Sequence, residues 1–321
     1  MDPSRPELVA PALMSAIGHT PLIELGVIRQ HARRTRLFAK LEGANPGGSI
    51  KDRPVARMLR VGLASGKLAG GRRLLDSSSG NAGISYAMLG AAMGVPVTLV
   101  VPGNASSERL ERIRACGAEL ILTDPLEGYD FAVREARRLA DEHPDRYWYC
   151  DQYSNPDNWR AHYSETAGEL LDQLGPIIGG APDAFVAGVG TGGTLTGVGR
   201  RLKELRPATL VVAAIPEIFP GIEGLKPLGA PQDLVPAILD ESLIDEHVRV
   251  RLDDALAMCR RLAHEGVFVG PSSGAFVHVA CSLAHRRELE SIVTVLADSG
   301  ERYMSTGMWG GGGRTQEGAG A

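Results

Sequence analysis

Lys51 is one of only five lysines in a chain that carries twenty-nine arginines. It ends the run Asn45-Pro46-Gly47-Gly48-Ser49-Ile50 and precedes Asp52-Arg53-Pro54, a glycine-rich turn leading into a helix. An ammonium on a flexible stem can lose its proton when desolvated and then serve as a nucleophile or base, which a guanidinium cannot do. Taken alone, a solvated lysine in a first helical turn is the plainer reading, so other residues must decide.

Three loops bear on the decision. Gly188-Val189-Gly190-Thr191-Gly192-Gly193-Thr194 joins an apolar run to a helix, with glycines that let the backbone approach a ligand and two hydroxyls that can donate. A helix start of this kind suits an anion, and a phosphate in particular. Gly188, Gly190 and Gly193 also satisfy G-x-G-x-x-G, with Glu217 after the next strand, so a dinucleotide-binding enzyme competes at this point; Thr194 in place of lysine excludes a nucleoside-triphosphate loop. Asp76-Ser77-Ser78-Ser79-Gly80-Asn81-Ala82-Gly83 again offers amides and hydroxyls at a helix start, suited to a small carboxylate, with Asn81 as an amide donor to a ring oxygen; simple N-capping is the plainer reading. Gly270-Pro271-Ser272-Ser273-Gly274 has the same form. Together with Lys51 these loops supply what pyridoxal phosphate requires: an amine, an anion cradle and polar partners for the ring.

The elements that must position these residues follow a βαβ rhythm from about residue 72 onward, which implies a parallel sheet covered by helices. Apolar runs predict strands at Val97–Val101, Glu119–Leu122, Tyr147–Cys150, Ala184–Val189, Leu210–Ile215 and Ile292–Leu296. Helices are expected over Ile84–Met93, Ser107–Ala115, Phe131–Glu142, Leu195–Leu205, Ala255–His264 and Ala275–Ala284. The segment from Pro216 to Pro236, rich in Pro and Gly, predicts a long surface loop, and residues 310–321 a flexible tail.

With 321 residues and 44 % hydrophobic content the chain can fill two packed lobes. A formal charge of -4 argues against nucleic acid as a partner. No apolar run approaches membrane-spanning length and the start of the chain does not resemble a signal peptide, so cytoplasmic residence is the expectation. Cys116, Cys150, Cys259 and Cys281 are widely spaced and predict four small core residues, and the eight histidines form no close pair, so no metal site is expected.

The chain resembles the cysteine synthase family of fold-type II pyridoxal-phosphate β-replacement enzymes. The motifs that carry the resemblance are Lys40-Leu41-Glu42 leading to Asn45 through Arg53, Ser78-Ser79-Gly80-Asn81, Gln152, Gly190-Thr191-Gly192-Gly193-Thr194 and Ser272-Ser273-Gly274, within a likeness running from Ile17 to Thr306. Lys51-Asp52-Arg53-Pro54 and Asp151-Gln152-Tyr153 bring it nearest the cysteine synthase B-like and O-phosphoserine-using members. The resemblance implies an α/β, two-lobed, tryptophan synthase β-like fold, with residues 45–162 as the smaller substrate-loop domain and 1–44 with 163–309 as the larger cofactor domain. It also implies a homodimer.

By the same resemblance Lys51 holds pyridoxal 5'-phosphate and later takes the α-proton. Gly190, Thr191, Gly192, Gly193 and Thr194 bind its phosphate, Ser272 meets the pyridine nitrogen, and Asn81 bonds the ring hydroxyl. Ser78, Ser79, Gly80 and Gln152 bind the substrate carboxylate. The implied reaction replaces the activated hydroxyl of an O-substituted L-serine by sulfide or a carried sulfur, with a sulfur-carrier protein as a partner in the second case. O-acetylserine is favoured over O-phosphoserine because Pro207 to Val248 contains no arginine and only Lys226 to meet a phosphate. Synthesis of diaminopropionate or cystathionine, and deamination of serine or threonine, are the competing outcomes. Ala82 departs from the family's usual threonine and removes a donor to the carboxylate.

Overall fold

A computed structural model describes residues 6–228 and 235–309. The expected tail at 310–321 and part of the expected 216–236 loop lie outside the described residues. In chain order the elements are α1 (Pro6–Ser15), β1 (Leu22–Glu24), β2 (Arg36–Leu41), α2 (Asp52–Ala64), β3 (Arg73–Ser77), α3 (Asn81–Met93), β4 (Val97–Pro102), α4 (Ser107–Ala115), β5 (Glu119–Thr123), α5 (Gly128–Glu142) and β6 (Tyr147–Tyr149). They continue with α6 (Pro156–Ala161), α7 (Ala167–Ile178), β7 (Ala184–Gly188), α8 (Gly193–Leu205), β8 (Leu210–Pro216), β9 (Glu246–Val250), α9 (Leu252–His264), α10 (Pro271–Arg286) and β10 (Ser291–Leu296). A π-helical turn, His162–Thr166, joins α6 to α7.

The strands form two sheets. Six take the order β1-β2-β10-β7-β8-β9, parallel except for β1 against β2; four take the order β5-β4-β3-β6, all parallel. Every residue of β4, β7 and β10 is buried, as strands covered by helices on both faces must be. The four-stranded sheet draws only on residues 73–149, so it is inserted between β2 and β7 of the other.

Strand order fixes where a ligand can sit. In the larger sheet β10 lies between β2 and β7, and in the smaller sheet β3 lies between β4 and β6, so chain direction across each sheet reverses there. The loops leaving the carboxyl ends of such strands splay apart and open a crevice. Lys51 follows β2, the 190–194 loop follows β7, Asp298 follows β10, the 78–81 loop follows β3 and Gln152 follows β6.

All six expected strands and all six expected helices are present, with ends shifted by up to four residues. One expectation needs correction: Cys150, Cys259 and Cys281 are buried, whereas Cys116, at the end of α4, is only half-buried.

Candidate active site

These loops enclose a cleft of about 670 Å³, whose lining includes Lys51, Ser78, Ser79, Gly80, Asn81 and Gln152 from one side. From the other come Gly190, Thr191, Gly192, Gly193, Thr194, Lys226 and Ser272. The residues that the cofactor reading singled out in the sequence are therefore at one cavity, while Glu217 is not.

Lys51 precedes α2 in helical conformation. Its turn is pinned by the buried Asp52 carboxylate, which accepts from the amide of Gly47 and from the Ser85 hydroxyl. Desolvation holds the Lys51 pKa below the ordinary lysine value, and the nearby Asp298 carboxylate pulls the other way. Its amine has no hydrogen-bond partner among the described residues.

The 78–81 loop is shaped by Asp76 at the end of β3, which accepts from the amides of Ser77 (2.8 Å) and Gln152 (3.2 Å) and from the Tyr86 hydroxyl (2.6 Å). Burial pushes the Asp76 carboxyl up to about 7, against those donors. One carboxyl thereby ties together the two loops expected to hold a substrate carboxylate. Ser78 Oγ accepts from the amides of Gly80 and Gly83, so it does cap α3, yet its hydroxyl hydrogen remains free to donate into the cleft. Gln152 spends one of its two amide hydrogens on the Ser77 carbonyl, at 3.0 Å.

Asn81 has partners that sequence reasoning missed. Its amide donates to Asp298 Oδ2 at 2.7 Å, and its carbonyl oxygen accepts from Arg302. Asp298 also accepts from the Tyr303 hydroxyl at 2.8 Å, while its Oδ1 is buried without a donor. Burial raises the Asp298 pKa, opposed by Asn81 and Tyr303. The signal for Asp298 was weak: an acid two residues beyond a strand is common, and only the register of β10 beside β2 brings it to Lys51.

Lys226 packs into the cleft wall. Its side chain is only 16 % exposed, sits over the Tyr153 ring and pairs with Asp130 at 3.3 Å. The remaining charges lining the cleft are Glu127, Glu223, Asp298 and Lys51. Glu223 pairs with Arg109 across the mouth. Tyr129 and Tyr153, edge to face with centroids 6.4 Å apart, complete the wall near Lys226.

The donor set fits pyridoxal 5'-phosphate. An unpartnered amine lies in the same cleft as the start of α8, where the first amides have no intrahelical acceptor. The Ser272 hydroxyl has no partner among the described residues and is buried at the start of α10, facing the cavity. Glu217, the acid that the dinucleotide reading assigns to a ribose, does not line the cleft, which counts against that reading.

Comparison with known proteins agrees. The family model described as pyridoxal-phosphate dependent enzyme matches residues 13–299. A cysteine synthase from Aquifex aeolicus is 43 % identical over 305 residues, covering 92 % of this chain and 91 % of that protein. Among solved structures, O-acetyl serine sulfhydrylase isoform 3 from Entamoeba histolytica is 34 % identical with a TM-score of 0.85, covering 92 % of this chain and 90 % of that one. An O-ureido-L-serine synthase is 36 % identical with a TM-score of 0.84, covering 95 % and 96 %.

Proposed function

The chain belongs to the pyridoxal-phosphate dependent enzyme family, and we propose that it is a cysteine synthase, replacing the β-substituent of O-acetyl-L-serine by sulfide. The observation that carries the reading is the Lys51 amine, desolvated and unpartnered in a cleft with an anion-binding helix start.

Lys51 would hold the cofactor, the 190–194 loop and α8 its phosphate, Ser272 its ring nitrogen, and the second amide hydrogen of Asn81 its ring oxygen. When bound, the cofactor supplies an electron sink for charge developing at the amino acid's α-carbon. A hydroxyl at the ring nitrogen stabilises positive charge there less than a carboxylate would, which favours elimination over transamination. The amides of 79–81 and the hydrogens of Ser78, Ser79 and Gln152 orient the substrate carboxylate. Lys51 Nζ would take the α-proton, and the lowering of its pKa by desolvation favours the neutral amine that this step needs.

Cleft charge supports an uncharged leaving ester. Of the two lysines lining it, Lys51 is committed to chemistry and Lys226 is paired with Asp130, while Glu127 would repel a phosphate dianion and Glu223 is spent on Arg109. The lobe division at 45–162 against 1–44 with 163–309 is part of this reading, supported by the way each sheet draws on its own stretch of chain. So are pairing into a homodimer, cytoplasmic residence, and delivery of sulfur either as free sulfide or by a carrier protein. Among the described residues no helix is long and apolar enough to cross a membrane.

Product analysis with O-acetyl-L-serine, O-phospho-L-serine and L-serine, each with and without sulfide, tests the proposal. Cysteine from the acetyl ester in the presence of sulfide is expected. Pyruvate and ammonia from serine, unaffected by sulfide, would instead identify a deaminase.

A further inference from the structure

Behind the 190–194 loop, away from the cleft, Asn158, His162 and Thr166 lie at intervals of four residues along α6 and the π-helical turn that follows it. All three are buried. They face the start of α8, where Gly193 and Gly197 permit close approach: a Cβ on Gly193 would come within 2.1 Å of Asn158 Oδ1, and one on Gly197 within 2.7 Å of His162 Cβ. Asn158 Nδ2 donates to the Gln152 carbonyl at 2.7 Å and to Thr191 Oγ1 at 3.1 Å. His162 Nδ1 lies 3.0 Å from Thr166 Oγ1, and its Nε2 lies 3.5 Å from Thr194 Oγ1.

We propose that Asn158 and His162 are positioning residues that turn the hydroxyl hydrogens of Thr191 and Thr194 outward, and so make the loop a receptor for the cofactor's phosphate. This rests on the reading above that the loop takes that phosphate. For Thr191 the direction is forced. The carbonyl of Gln152 accepts only, so the NH₂ of Asn158 must face it, and that NH₂ can only donate to Thr191. Thr191 Oγ1 is thereby an acceptor toward the protein, and its own hydrogen points elsewhere. Asn158 Oδ1 faces Gly193 and is buried without a partner, a cost accepted to keep both donors directed.

His162 does the same for Thr194 through its tautomer. Burial, with Lys51 and Arg53 adding to it, keeps the imidazole neutral, so one nitrogen donates and the other accepts. With the proton on Nε2, the imidazole donates to Thr194 Oγ1 and the Thr166 hydroxyl donates to Nδ1, leaving the Thr194 hydrogen for an anion. The opposite tautomer would draw that hydrogen back into the protein. A π-helical turn at this place is consistent with a functional role, since such turns are concentrated at functional sites.

The test compares binding of pyridoxal 5'-phosphate and of pyridoxal, which lacks the phosphate, to the cofactor-free full-length protein by equilibrium dialysis. Wild type should prefer the phosphorylated form strongly. His162→Phe should weaken pyridoxal phosphate binding by about ten- to a hundredfold, the scale of one hydrogen bond to a charged group, and leave pyridoxal unchanged. His162→Gln, which keeps a donor near the Nε2 position, should recover most of the loss. Thr194→Val should cost as much as His162→Phe, and the two together no more than Thr194→Val alone. Thr166→Val gives a second handle that leaves the imidazole in place, with a smaller loss again confined to pyridoxal phosphate. Equal losses for both ligands in His162→Phe and Thr166→Val, or additive losses in the double variant, would overturn the proposal. A wild-type protein that binds both ligands equally would instead overturn the phosphate reading of the loop itself.

Discussion

Lys40 is buried and Lys51 half-buried in the cleft wall, yet only one is built for chemistry. Lys40 donates to Gln173 and to the Thr20 carbonyl and pairs with Glu169 at 2.8 Å, so its charge is fully answered. Among the described residues the Lys51 amine has no hydrogen-bond acceptor, and desolvation lowers its pKa. An amine withdrawn from water without a partner sheds its proton more readily, which is the property a base in the cleft needs. At this scale Ala82 is the residue that departs from expectation: it is buried at the cleft wall and offers no hydroxyl. Ala82→Thr should restore a donor to the substrate carboxylate and lower the apparent KM for O-acetyl-L-serine by about ten- to a hundredfold, since such a bond is worth ~1.5–3 kcal/mol; steady-state kinetics would show it. Lys226→Ala should reduce use of O-acetyl-L-serine and O-phospho-L-serine to the same extent, because Asp130 already neutralises the charge. A loss confined to the phosphate ester would place Lys226 at the leaving group.

At the scale of elements, the strands and helices legible in the sequence were those with clean apolar runs, such as Val97–Pro102 and Ser291–Leu296. β1 is three residues long, β9 carries charges as an edge strand, and β2 contains the buried Lys40; none announces itself by pattern. The loops of the site were legible only as a set, because each alone reads as a helix cap and it is their combination with Lys51 that describes a cofactor site. Asp298, Asn158 and His162 were not, because sheet register and helix packing brought them there and local sequence could not. The same holds for the buried ion cluster beneath Lys51, in which Arg53 bonds Glu42 and Glu169 at 2.7 Å each and Lys40 bonds Glu169. It joins β2, α2 and α7. Burial alone would raise the Glu169 pKa, but hydrogen bonds from Arg53 and Lys40 hold it down to about 2. A depressed carboxyl contributes stability above its unfolded value of 4.5, and that contribution is lost as pH falls toward about 2. Glu169→Gln should therefore cost stability at pH 7, near the lower end of the ~3–5 kcal/mol for breaking a buried pair. Its Tm should approach that of wild type as the pH drops through this window; a gap independent of pH would contradict the assignment.

At the scale of the whole molecule, the cleft between the two sheets is spanned by side chains. Arg109 on α4 reaches Glu223, Asp130 on α5 reaches Lys226, and Arg302 reaches Asn81 and the Gly47 carbonyl. The first two hold the segment after β8 against the four-stranded layer. In both pairs the acid is exposed and so screened by water, which holds the contribution of each to about 1 kcal/mol; they bias the position of the segment without locking it. Arg109→Gln should leave Tm nearly unchanged but speed hydrogen exchange at the amides of Leu225 and Lys226, which bond to Ile222 and Val189. Unchanged exchange would mean that backbone contacts alone hold the segment.

All of this depends on one amine. The protein should be loaded with pyridoxal 5'-phosphate, treated with borohydride to fix the cofactor to whichever residue holds it, and digested for peptide mass mapping. A phosphopyridoxyl adduct on Lys51 is predicted, with none on Lys40 or Lys226. An adduct on either of those lysines, or a protein that takes up the cofactor and yields no adduct at Lys51, would contradict the account.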